Sequence, residues 1–199
     1  MPEQPTNNRR IVAVYGSASA MPGEPDWQVA YEVGRALATS GYCVLSGGYG
    51  GVMEACSQGA AEVGGHVMGA EVGLFRERGQ RLNQWVTEPV PFETLRDRLY
   101  FLVQRPDAFV VLRGGVGTLS EMSLLWSLLQ VGEIPARPCV LVGPMWRRFI
   151  EVFAETSTVS ADDLRWLTLV ERADQVVPAL EAWWEAPPDV PVRLGDRRT

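Results

Sequence analysis

Short runs of consecutive apolar residues alternate along the chain with stretches in which apolar residues recur every three or four positions. Ile11–Tyr15 (IVAVY) is the first run, continuous rather than alternating, as expected of a strand covered on both faces. Residues 26–39 follow with helical spacing, Trp27, Ala30, Tyr31, Val33, Gly34 and Leu37 falling near one face, and Ser40-Gly41 closes the helix. Tyr42–Leu45 predicts a second strand, about Val52 to Val63 a helix closed by Gly64-Gly65, and His66–Ala70 a third strand. Residues 72–84 show no clear period and carry three arginines, so an exposed, mobile loop is expected there. Trp85–Thr87 suits a short strand, and residues 92–104 an amphipathic helix starting at Thr94 or at the proline before it. Ala108–Leu112 is another buried strand, Leu119 to Val131 a long apolar helix, Cys139–Val142 a strand and Trp146–Phe153 a helix. Leu167–Val170 and Ala173–Trp184 complete the alternation as strand and helix.

Strands alternating with helices predict an α/β fold of Rossmann-like type, an open parallel sheet with helices on both faces. One domain over residues 10–186 is expected, with 1–9 and 187–199 as flexible termini. No repeat or low-complexity segment interrupts it.

Composition narrows the function. The balance of 46% apolar and 21% charged residues is that of a globular protein. No run approaches a membrane span, and the polar N-terminus is unlike a secretory signal, so a cytoplasmic location is expected. A net charge of −6 argues against a broad nucleic-acid surface but leaves room for a small anion held locally. The chain has no lysine at all. That excludes a pyridoxal phosphate Schiff base and a Walker P-loop. The single histidine, His66, cannot build a histidine metal cluster and has no GxSxG elbow beside it, so it is read as structural. Cys43, Cys56 and Cys139 are far apart and read as buried apolar residues.

Three glycine-bearing turns follow predicted strands, at Gly16-Ser17, Ser46–Gly51 and Gly114–Thr118. Ligands of open α/β sheets sit at the carboxyl ends of strands, where helix N-termini offer unpaired amides to phosphate. Glycine lets the backbone approach the anion, and Thr118 adds a hydroxyl. The GGYGG turn also has a purely structural reading as a tight strand–helix connection. Neither of the two longer loops carries the dinucleotide GxGxxG fingerprint, which disfavours a nicotinamide dehydrogenase. Glu121, four residues after Gly117, is placed to face back toward the loop; equally, it is a first-turn glutamate complementing the helix dipole. Arg98 is a candidate phosphate fork, or one charge of a solvated face with Arg96 and Asp97.

Taken together, these segments resemble the Lonely Guy family, within a superfamily of Rossmann-like nucleotide-binding proteins often labelled lysine decarboxylases. The absence of lysine rules that label out here. The family's PGGxGTxxE motif is matched by Arg113 to Glu121, GGGxxGxM by Ser46 to Met53, GSS by Gly16-Ser17-Ala18, and MxxRK by Leu95 to Leu99. Arg113 stands at the proline position, Leu95 at the methionine and Leu99 at the lysine. The resemblance covers roughly residues 10 to 185 and implies hydrolysis of the N-glycosidic bond of nucleoside 5′-monophosphates such as AMP or a cytokinin riboside monophosphate. Arg98 and Glu121 would be the catalytic pair. Gly16, Ser17, Gly47, Gly48, Gly51, Met53, Gly114, Gly115, Val116, Gly117 and Thr118 would bind the nucleotide. No metal or cofactor is implied, and a homodimer is. The alternative is a non-catalytic nucleotide-binding protein or a carrier of the molybdenum-cofactor kind. The helix after Glu121, apolar nearly all round, fits either a buried core helix or one shared between the sheet and a partner.

Overall fold

The computed structural model describes residues 9–189. Seven parallel strands form one sheet in the order β4-β3-β2-β1-β5-β6-β7. They are β1 (Ile11–Tyr15), β2 (Cys43–Ser46), β3 (Val67–Val72), β4 (Glu88–Phe92), β5 (Ala108–Val111), β6 (Cys139–Val142) and β7 (Leu167–Val170). The helices are α1 (Pro25–Thr39), α2 (Val52–Ala61), α3 (Gly73–Glu77), α4 (Leu95–Gln104), α5 (Val116–Gln130), α6 (Pro144–Thr156), α7 (Ala161–Leu164) and α8 (Val176–Glu185), the last entered through a 3-10 turn at Ala173–Gln175. The expected termini lie largely outside the described residues.

The continuous apolar strands are buried on both faces because successive side chains alternate between two cores. From β1, Ile11, Ala13 and Tyr15 enter the core shared with α4, α5 and α6. Val12 and Val14 enter the opposite core, against α1, α2 and α8. The three cysteines are buried, and loss of hydration pushes each thiol up to about 12.

Several boundaries differ from the sequence reading, each for a local reason. Residues 72–84 are not a plain loop: α3 forms at their start, with Phe75 packed edge-on to Tyr49 at 5.4 Å. Asn83 pins their end, its backbone amide donating to the Gly48 carbonyl at 2.8 Å and its side chain to the Tyr49 carbonyl at 3.0 Å. These contacts are non-local, so no period announces them. The strand expected at Trp85–Thr87 begins instead at Glu88 and contains Pro89 and Pro91. It lies at the sheet edge, where a residue without an amide proton is tolerated. Thr94 caps α4, its side chain accepting from the Asp97 amide at 3.1 Å. Helix α5 starts three residues before Leu119, taking Val116, Gly117 and Thr118 into its first turn. The four-residue helix α7 has no sequence signal long enough to register. Among the described residues, no helix is long and apolar enough to cross a membrane.

Candidate active site

The strand order reverses between β1 and β5, so the loops after these strands diverge and leave a crevice at the carboxyl edge of the sheet. A cavity of about 670 Å³ opens there on the face carrying α4 and α5. That is room for a mononucleotide. Gly16, Ser17, Gly47, Met53, Arg98, Gly115, Gly117, Thr118 and Glu121 all line it. The remaining candidates stand behind it or at its rim. Gly48 packs against Gly69 and Leu82, and Gly114 against Thr118. Val116 is 81% exposed.

The three glycine turns are locked together. The Ser17 amide donates to the Arg113 carbonyl at 3.0 Å, and the Ser17 carbonyl accepts from the Val52 amide at 2.8 Å. Gly51, at φ +69°, lets the second turn close against Ser17 and Ala18, where a Cβ would collide with the backbone. One consequence is that the two helix N-termini are not equivalent. The first amide of α2 is already engaged by Ser17, and Glu54 adds negative charge in that first turn. In α5 the amides of Val116, Gly117 and Thr118 have no acceptor among the described residues, and no acid sits in the first turn. Helix α5 is therefore the end that invites an anion.

Arg98 is not part of a solvated face. It is 7% exposed, whereas its neighbours Arg96 and Asp97 lie outside. Its Nε donates to the Ala70 carbonyl at 2.8 Å, and the guanidinium lies 5.7 Å from the centre of the Tyr49 ring and 5.9 Å from that of Phe75. Gly47 is the close approach that makes room: a Cβ there would strike an Arg98 Nη. Burial pulls the Arg98 pKa down, and the charge of Glu121 opposes that shift.

Glu121 lies in the second turn of α5, so it is not the first-turn glutamate of the dipole reading. It keeps some contact with solvent through the cavity mouth, but protein surrounds its carboxyl. Loss of hydration raises its pKa to about 7, with Arg98 pulling the other way. No ion pair within 4 Å joins the two among the described residues. Tyr15, also on the wall, is not a free acid: its hydroxyl donates to the Leu102 carbonyl at 2.7 Å.

Arg113, at the proline position, turns away from the cavity and pairs with Asp26 at 2.9 Å. Leu99, at the lysine position, is half-buried and off the cavity wall. The wall also holds Tyr49, Phe75 and Arg81, which the sequence reading does not single out. Phe75 and Arg81 come from the aperiodic stretch after β3. The three arginines there are its only signal.

The sequence profile of the SLOG cluster4 family matches residues 9–131. The chain belongs to this family. The resemblance to the Lonely Guy proteins stands with it. A relative of this SLOG protein from Mycobacterium tuberculosis, named cytokinin riboside 5′-monophosphate phosphoribohydrolase, is 32% identical over 180 residues, covering 86% of this chain and 91% of its own. An uncharacterized protein of Archaeoglobus fulgidus is 32% identical over 101 residues, 51% of this chain and 64% of that relative. Among solved structures, the molybdenum cofactor binding protein of Rippkaea orientalis superposes with a TM-score of 0.70 at 22% identity, covering 87% of this chain and 96% of that one. That likeness concerns the fold. His66 is engaged with Glu88 at 2.7 Å, outside the cavity, and among the described residues no cluster could hold a metal ion.

Proposed function

We propose that this SLOG protein hydrolyses the N-glycosidic bond of nucleoside 5′-monophosphates, AMP or a cytokinin riboside monophosphate, to a free base and ribose 5-phosphate. The observation that carries the proposal is the joint presence of Arg98 and Glu121 in one cavity with the open amides of α5. The phosphoribohydrolase name of the Mycobacterium tuberculosis relative supports the same reaction.

In this reading the 5′-phosphate sits on the amides of Val116, Gly117 and Thr118, and so fixes the ribose. As the C1′–N bond breaks, its electron pair leaves with the base and positive charge develops on the sugar. Ionised Glu121 stabilises that charge and orients a water toward C1′. The water oxygen bonds to C1′, and its proton ends on the departing base. Arg98, held by Ala70, Tyr49 and Phe75, keeps Glu121 partly ionised and bonds a polar group of the substrate. Because Glu121 acts as the carboxylate, turnover rises with pH through about 7.

The test is release of adenine from AMP, with Glu121→Ala alongside. Adenine from the natural protein and none from the variant supports the proposal. Binding of AMP without release by either protein overturns it in favour of a nucleotide carrier. We also propose a homodimer, following the family resemblance. The apolar side of α5 is consumed by its own core, and its outer stripe is Ser120, Ser123 and Ser127. Tyr100 on α4, with Val152 and Phe153 on α6, remain uncovered.

A further inference from the structure

The cavity is held by one buried cation, Arg98, and the position after it is the uncharged Leu99, which does not reach the wall. A second cation reaches the cavity from the segment that follows α3. Arg81 lines the cavity together with Arg98, Gly117 and Thr118. Its neighbour Arg76 lies 3.7 Å from Glu71, whereas Arg81 has no carboxylate within 4 Å among the described residues. Among those residues its side-chain partners are backbone carbonyls: one Nη donates to Arg76 at 3.2 Å and to Gln80 at 3.4 Å. Nε and the other Nη have no partner among the described residues and remain available to a ligand.

The segment is also placed rather than loose. Two residues beyond Arg81, Asn83 is bonded through backbone and side chain to the turn after β2, and Leu82 packs against Gly48 of that turn. The arginine is thus tethered beside a wall of the cavity in a chain whose net charge is −6. A cation left without a carboxylate at such a place is a fork for an anion.

We propose that Arg81 is a binding residue for the substrate's 5′-phosphate, sharing it with the open amides of α5. This rests on the phosphoribohydrolase reading for the identity of the ligand. Arg81 determines the preference for a phosphorylated over an unphosphorylated nucleoside and takes no part in bond cleavage.

Calorimetric titration with AMP and with adenosine, on the natural protein, Arg81→Gln and Arg81→Lys, tests it, together with KM and kcat for adenine release. Arg81→Gln removes the charge and keeps a polar, hydrogen-bonding side chain. It is expected to weaken AMP binding about ten- to a hundredfold and raise KM to match, with kcat and adenosine binding within twofold. Arg81→Lys is expected to recover part of the loss. Natural affinity for AMP in Arg81→Gln, or an equal loss for AMP and adenosine, overturns the proposal while leaving the hydrolase reading intact. Failure of the natural protein to bind AMP at all overturns both.

Discussion

Replacing Glu121 by Gln has a consequence for stability that can be worked out from its surroundings. Burial raises the carboxyl pKa from 4.5 to about 7 in the folded chain, against the pull of Arg98. The folded state therefore binds the proton more tightly than the unfolded state does. Full stability is present below pH 4.5 and is lost as the pH rises through about 7, as the ionised carboxylate is forced into the cavity wall. With these two pKa values the accumulated cost is roughly 1 kcal/mol at pH 5 and about 3 kcal/mol at pH 8. Gln resembles the protonated carboxyl and escapes the cost. Glu121→Gln should thus gain about 2–3 kcal/mol on the natural protein between pH 5 and pH 8. For a chain of this size that is a relative rise in Tm of roughly 5–10 °C. Urea unfolding at the two pH values measures it directly. A variant less stable than the natural protein at pH 8, or a difference that does not change with pH, would refute the argument that the carboxylate is held at a cost to folding.

Two further outcomes can be measured. Arg113→Pro, which restores the family residue, should leave turnover within about twofold and stability within about 1 kcal/mol, because the lost contact is an exposed ion pair with Asp26 outside the cavity; a large loss of activity would show that Arg113 serves the site. Sedimentation equilibrium should give twice the chain mass of 21.9 kDa, and a monomer at micromolar concentration would remove the homodimer.

The sheet is legible in the sequence because β1, β5 and β6 are runs such as IVAVY and AFVV, whose continuity requires cover on both faces. The glycine turns are legible for the same reason, since each follows such a run directly. Glu121 and Arg98 are visible as candidates, but their alternatives cannot be removed from sequence. Only the start of α5 at Val116 puts Glu121 in the second turn, and only packing by Tyr49 and Phe75 separates Arg98 from the exposed Arg96. Residues 72–84 escape a sequence reading because Phe75, Arg81 and Asn83 each answer to a partner elsewhere in the chain or to the cavity, which leaves no local period. Pro89 and Pro91 hide β4, since a strand with two prolines is viable only at an edge and edge position is a property of the whole sheet. Arg113 gives no clue to its direction, because Asp26 is distant in sequence.

The central claim is most directly tested by incubating the purified protein with AMP at pH 6 and pH 8 and following free adenine by chromatography, with Glu121→Gln in parallel. Adenine release that is faster at pH 8 than at pH 6 and absent in the variant is the predicted result. No adenine from the natural protein at either pH, with AMP bound, would contradict it.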